Sequence, residues 1–584
     1  MAMNVREQIA GSETLDHLGL VASTIDKLGL IPMIDKQIPV NKDKGAKTTM
    51  GQRVAAMMMN GLGFIDDRLY MFPKFLSNKP VEKLLGSGLV AEDFNDDSLG
   101  RALDAIYAYG TTKMFSELAL PIGIQHNVIN HKAHIDTTTL TVYGEYENDN
   151  NLQDNITSIL PDTSNNQNAT ILEQQILQLQ QNKAATSHLE LANPKYGHAK
   201  NHRNDLKQMT LLLATSGQAG FPIWMEAHNG NASDKATLER AAERMQRFCN
   251  ALKLAPSLLY VGDSAMYANC VERDHDLLWL SRVPENIKQA KIIISMTDIV
   301  WKTIDNGYQI HELSQTYKNI EQRWLLVFSE HAYNKEIITL SKHIAKEQEA
   351  TQNAIWHLSN QLFGCEIDAN KELAAIQKKL RYHTLSPNIT TINTYLGRGK
   401  PKKDAIPIVK YQINAVINQD VKAIEQAKIT KGRFILATNQ LDKSKLPTLE
   451  ILPTYKEQAA TESGFKFIKD DAFELDSIYL KKPERINALM MVMTLCLMVY
   501  SFAQYFLRKA LLDADETLPL QTGRLSNKPS MKWVYRMFQG IHVLKLRVHN
   551  HIERIILNLN GTLRRIINYF GETACKIYDI PMNI

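Results

Sequence analysis

Tyr455, Gln458, Glu462 and Lys469 form a polar set in which the last three lie 3, 7 and 14 residues beyond the first. On a helix that turns about 100° per residue, all four fall within about 60° of one another on one narrow face. A solvated stripe has the same pattern, so the chemistry depends on what else the chain can bring to Glu462. Two more carboxylates qualify by placement. Asp136 lies near the start of the β-branched run "HIDTTTLTVYGEYE", and Asp263 ends the apolar run "SLLYVGDSAMY". One carboxylate on a strand, one at a strand mouth and one on a helix face could hold two divalent metals roughly 3.5–4 Å apart for phosphoryl transfer. Among 62 Asp and Glu, composition would equally allow Glu145, Asp274 or Asp471. Placement singles out Asp136, Asp263 and Glu462.

The elements that must position them follow from pattern. Residues 126–284 read as a strand at "HIDTTTL", a polar insertion at 147–190, and a hairpin "MTLLLATSGQAGFPIWMEAHNG" turning at Ser216–Gly220. A helix "DKATLERAAERMQRFCNALK", capped by Ser233 or Asp234, is followed by the strand ending at Asp263 and a last strand, "HDLLWLSRVP". The order strand, hairpin, helix, strand, helix, strand predicts an α/β, ribonuclease H-like catalytic core. Residues 285–450 read as an insertion of mixed strands and helix, with strands at "GYQIHEL", "RWLLVFSE", "KYQINAVIN" and "GRFILATN". The core resumes over 451–510 with the glutamate helix. Residues 1–125 form a helical N-terminal domain expected to bind a DNA end, and 511–584 a basic helical C-terminal region.

The motifs together resemble the DDE insertion-sequence transposases of the cut-and-paste branch that carries a long insertion before the catalytic glutamate. The signature there is Tyr, two residues, Arg, three residues, Glu, six residues, Lys. This chain has Tyr455, Gln458, Glu462 and Lys469 at those steps, with "HIDTTTL" and "YVGDSAMY" similar to the two aspartate motifs. "GHAKNHRNDLKQMT" and "HNGNASDKATL" also look like the segments between the aspartates. The resemblance implies that Asp136, Asp263 and Glu462 are catalytic and bind two Mg²⁺ or Mn²⁺ ions. Water would cut a phosphodiester at the element's end, and the freed 3′-hydroxyl would attack target DNA. Tyr455 and Lys469 would contact DNA near the scissile bond, as would Gln458, where the family has arginine. That replacement removes a permanent charge and a bidentate phosphate donor. Partners implied are terminal inverted repeats and target DNA, with a homodimer in the DNA complex, at the nucleoid of a bacterial cytoplasm. Two alternatives stay open: a non-catalytic DNA-binding remnant, and a ribonuclease H-like nuclease that cuts without strand transfer.

Composition fits this frame. The chain has 584 residues, 44% hydrophobic and 22% charged, with a net charge of +5. That is globular rather than disordered. Five cysteines without CxxC spacing indicate neither a zinc site nor a disulfide framework and fit a reducing cytosol. The N-terminus lacks the apolar core of a signal peptide. Ala488–Leu507 runs without charge at membrane-spanning length, but Thr494, Ser501 and Gln504 within it favour a buried core helix, and no membrane is expected. Positive charge concentrates in two places. From Gln521 onward ten Lys and Arg face three carboxylates, an excess of +7 that suits a phosphate-facing surface. In "YLGRGKPKKDA", Arg398, Lys400, Lys402 and Lys403 crowd a Gly/Pro-rich loop suited to a DNA backbone. Trp301 and Trp324 are expected in a core rather than stacked on a base, and His198 and His202 make no metal motif.

Overall fold

The computed structural model describes residues 9–40, 45–64, 69–143, 191–197, 203–252, 258–271, 277–304, 307–396, 404, 406–470, 477–478, 480–549 and 551–582. The chain is mixed α/β and divides into two compact units. One comprises Met1–Ser281 with Leu452–Ile584, and the other Arg282–Ile451.

The first unit begins with β1 (Ile9–Thr14) and a helical layer made of α1 (Leu18–Lys27), α2 (Leu30–Gln37), α3 (Met50–Leu62), α4 (Asp96–Tyr109) and α5 (Thr111–Gln125). Local chemistry starts these helices where it does. Thr49 and Gln52 form a capping box at α3, and Asn95 caps α4 by accepting from the Ser98 N–H at 2.9 Å. The chain then enters a sheet through β2 (Lys132–Val142), β3 (Gln208–Ser216) and β4 (Phe221–Asn229). Gly217 and Gly220 turn the β3–β4 hairpin with positive φ. A Cβ at Gly217 would sit 2.0 Å from the Val128 carbonyl, so glycine is required there. Next come α6 (Asp234–Ala251), β5 (Leu259–Gly262), α7 (Ser264–Cys270) and β6 (Leu278–Arg282). The strand order is β4-β3-β2-β5-β6. β2 pairs antiparallel with β3 and β3 with β4, whereas β2–β5 and β5–β6 are parallel.

In the second unit β7 (Lys302–Ile304), β8 (Tyr308–Tyr317) and β9 (Ile320–Ser329) form an antiparallel meander. The long helix α8 (Glu330–Ser359) and α9 (Glu366–Gln377) follow, then a ribbon of β10 (His383–Thr394) and β11 (Ile408–Gln419), and β12 (Arg433–Thr438), which pairs with β9. Trp324 is fully buried on β9, and Trp301 lies beneath the Arg433 guanidinium, 5.3 Å from the ring centre; both are packing residues.

The chain then runs through α10 (Thr448–Lys456), α11 (Ala459–Ile468), β13 (Ser477–Ile478), α12 (Pro483–Asp513) and α13 (Met531–Met537). It ends with β14 (His542–Val548), β15 (His551–Leu557) and α14 (Gly561–Phe570). α12, which contains the uncharged Ala488–Leu507 stretch, packs against α1, α3, α4, α5, α11 and β4. Of its most apolar 18-residue window, 89% is buried, and Arg485 forks onto Asp104 of α4 at 2.7 Å. It is a core helix.

The C-terminal region departs from the helical expectation. β14 and β15 form a hairpin, and β1 joins it through β14, so the two ends of the chain share one three-stranded sheet. Five of the region's ten Lys and Arg are paired: Lys532 to Asp470, Lys545 to Glu13, Arg554 to Glu82, Arg565 to Glu516 and Lys576 to Glu572. A phosphate would have to compete with these carboxylates.

Candidate active site

β2 positions Asp136. Residues on a strand alternate between faces, so Lys132, His134 and Asp136 share one face while Ile135 and Thr137 point to the other. The β2–β5 register pairs Lys132 with Leu259, Ala133 with Tyr260 and His134 with Val261. The pairing ends there; the same offset extended two residues would bring Asp136 level with Asp263, which lies just past the end of β5. Asp263 keeps extended backbone angles (φ −74°, ψ −174°) and acts as the N-cap of α7, its Oδ1 accepting from the Ala265 N–H at 2.9 Å. Its carbonyl accepts from Ser281 Oγ at 2.5 Å, which ties the end of β5 to β6. Asp136 Oδ1 accepts from the Thr137 N–H at 2.7 Å.

The opposite face is braced by a buried ion pair. The Glu226 carboxylate on β4 accepts from Arg244 of α6 at 2.8 Å (Oε1) and 2.5 Å (Oε2), and contacts His228 at 2.9 Å. Burial alone would raise its pKa, but His228 and Arg244 outweigh that and bring it down to about 2.

Glu462 arrives on α11, which lies over the Asp136 face. Thr461 is buried, its hydroxyl 2.6 Å from that of Thr215 on β3 and 3.5 Å from the His134 carbonyl on β2. Glu462 itself is exposed. Just before α11, Glu457 stands 3.6 Å from both Lys132 Nζ and His134 Nε2. Its pKa is lowered chiefly by the His134 contact, against the opposing effect of burial, with Lys132 adding to the lowering. Neither Glu457 nor Thr461 stood out in sequence. The available signal was that Thr461 falls on the apolar side of α11 with Phe465 and Ile468.

Tyr455, Gln458, Glu462 and Lys469 do not lie on one unbroken helix. Tyr455 is in α10, whereas Gln458 is the N-cap and Lys469 the C-cap of α11. Between the helices the bonds tighten to i→i+3, from Gln458 N–H to the Tyr455 carbonyl (3.2 Å) and from Ala460 N–H to the Glu457 carbonyl (2.9 Å). A 3₁₀ step turns about 120° per residue, so each such residue moves the phase by about 20°. Gln458 keeps only 9% of its surface exposed.

Arg398, Lys400, Lys402 and Lys403 lie outside the described residues, as do His198 and His202 and the alternatives Glu145, Asp274 and Asp471. Among the described residues no group of three His, Cys, Asp or Glu side chains is arranged to hold a metal ion. The donors present are hard carboxylate oxygens, the type Mg²⁺ and Mn²⁺ take. Asp136, Asp263 and Glu462 supply donors of that type, and the three are not gathered into one group in this arrangement.

The family described as "Transposase DDE domain" matches residues 164–499, more than half of the chain. The chain belongs to the DDE transposase family. The match contains Asp263 and Glu462 and begins after Asp136. Residues 10–120 match a second family, a domain of unknown function, DUF4277. No curated protein matches. Among solved structures, a piggyBac transposase synaptic complex with hairpin DNA is similar over 89% of this transposase and 79% of that chain, at 8% identity and a TM-score of 0.34.

Proposed function

We propose that this transposase cleaves DNA at the ends of an insertion element and joins the freed ends to target DNA, with Asp136, Asp263 and Glu462 as its catalytic carboxylates. The observation that supports the reading is the parallel β2–β5 register, whose extension beyond His134–Val261 would bring Asp136 level with Asp263. The order β4-β3-β2-β5-β6, with its antiparallel hairpin side and parallel crossover side, supports a ribonuclease H-like core around them. Asp136, Asp263 and Glu462 would hold Mg²⁺ or Mn²⁺, whose chemistry is to activate the attacking oxygen and stabilise the leaving one.

The chain's own residues do the rest. The strand aspartates are held by the backbone ladder before substrate arrives, and Glu462 joins them when DNA is bound, carried by α11. In the first step water attacks phosphorus, the P–O3′ bond breaks, and a 3′-hydroxyl and a 5′-phosphate are released. In the second that 3′-hydroxyl attacks a target phosphodiester, one P–O bond forming as another breaks. Lys469 and Tyr455 flank Glu462 and would contact backbone phosphate. The Tyr-Arg-Glu-Lys branch, a homodimer on paired ends and work at the nucleoid of a bacterial cytoplasm complete the reading.

The test is incubation of the purified chain and Mn²⁺ with a plasmid carrying the DNA that flanks its gene, followed by mapping of ends and insertions. We expect nicks at inverted repeats and insertion into a second plasmid. Nicking without insertion would select a nuclease, and binding without nicking a non-catalytic remnant; either would overturn the proposal.

A further inference from the structure

The β10–β11 ribbon has two unlike faces. Its inner face packs Ile413, Leu385 and Ile389 onto Leu358 of α8 and onto Ala369 and Leu373 of α9, a small core of its own. The start of the ribbon is tied to α8 as well. The Glu347 carboxylate accepts from the Arg381 and Tyr382 N–H groups (3.1 and 2.8 Å) and contacts His383 Nδ1 at 2.9 Å. The outer face presents Thr384, Ser386, Asn388 and Thr390 from β10 and Asn414 and Asn418 from β11, with Ile392, Ile408 and Val416 among them; Asn388 faces Asn414 and Thr384 faces Asn418. No Asp or Glu occurs at any outward position of either strand, and Lys410 is the one charge among them.

We infer that this outer face is a base-reading element that lies in the major groove of double-stranded DNA, and the inference rests on the transposase reading above. A major groove about 12 Å wide admits a two-stranded β-ribbon. Twelve residues per strand make a ribbon of about 40 Å, close to one helical turn of duplex. Uncharged Asn, Ser and Thr side chains are the ones that bond base edges, Asn pairing with adenine in particular. Charge complementarity favours DNA over a protein partner. A carboxylate-free face avoids repelling phosphates, and the sequence joining the two strands carries Arg398, Lys400, Lys402 and Lys403 against Asp404. The anchoring by Glu347 and the α8–α9 core presents the ribbon as a rigid arm.

Two variants of the full chain test this, each checked by circular dichroism for unchanged folding. Duplex affinity and the sequences selected from a random duplex pool are measured for both and for the unaltered protein. Asn388→Asp with Asn414→Asp places two carboxylates on the face and should weaken duplex binding by an order of magnitude or more. Asn388→Ala with Asn414→Ala should leave affinity for random duplex within about twofold while flattening base preference at a few adjacent positions. If the unaltered protein binds DNA but both variants match it in affinity and selected sequence, the ribbon inference falls and the transposase reading stands. If the variants change only self-association, the face is a protein contact and the inference also falls. If the unaltered protein binds no duplex and cuts none, the transposase reading fails first and takes the ribbon with it.

Discussion

The strand-borne and helix-borne halves of the candidate site are built by different forces. Asp136 and Asp263 are set by a backbone ladder: neighbouring parallel strands in register, with Asp263 held further by the α7 N-terminus and by Ser281. Glu462 sits exposed on α11, whose entry is a 3₁₀ step and whose hold on the sheet is the Thr461–Thr215 contact, with Glu457 reaching Lys132 and His134. Ladder hydrogen bonds are many and cooperative, so Asp136 cannot shift without opening the sheet, and Asp263 is held just past the end of β5 by its N-cap bond and by Ser281. α11 is packed as well, burying Phe465, Phe467 and Ile468, so what can move at small cost is the exposed Glu462 side chain rather than the helix. A preset pair and a movable third ligand is how this transposase would delay chemistry until DNA is in place.

The contrast can be broken most severely from behind the sheet. Arg244→Ala leaves the buried Glu226 carboxylate without its main partner, and we expect a loss of about 3–5 kcal/mol in urea unfolding. Cutting by whatever fraction remains folded should be normal, because that pair faces away from Asp136. A large loss of activity in fully folded protein would show that the two faces are coupled.

Acid should weaken the helical layer through His17. His17 is buried against Tyr535, and its pKa is lowered to about 4 mainly by that burial. Because the folded value lies below the unfolded 6.5, the unfolded chain binds the extra proton between those values. The stabilisation is complete above pH 6.5 and is lost as pH falls towards 4, about 3 kcal/mol in all. His17→Gln should flatten that part of the stability–pH curve; an unchanged slope would remove His17 as its origin.

The smallest change probes the helix. Thr461→Val removes one hydroxyl of the Thr461–Thr215 contact and should cost about 1–2 kcal/mol of stability. Its effect on cleavage rate should exceed its effect on DNA binding, and Thr461→Ser should restore both. Equal losses in rate and binding would mean that α11 grips DNA rather than placing Glu462.

The same division explains what could be read from sequence. β2, the β3–β4 hairpin and β5 are runs of β-branched or apolar residues with glycine at the turns, and α12 is an unbroken apolar stretch; each carries its signal locally. The break between α10 and α11 carries none, since no glycine marks Glu457–Gln458 and Pro453 lies inside α10. The β14–β15 hairpin was hidden because His549 takes the left-handed turn conformation where glycine would announce it, at φ +54°. β1, with sequence IAGSET, is a strand only because β14 lies beside it more than five hundred residues later. Asp136 and Asp263 were legible as strand residues, whereas their shared level depends on a register that periodicity does not encode.

The most direct test of a preset pair completed by Glu462 is calorimetric titration of Mn²⁺ into the whole chain, alone and with sheared duplex DNA bound. The account predicts that Asp136→Asn and Asp263→Asn each remove Mn²⁺ binding in both conditions, while Glu462→Gln weakens it only when DNA is present. Mn²⁺ binding that survives both aspartate changes would contradict it.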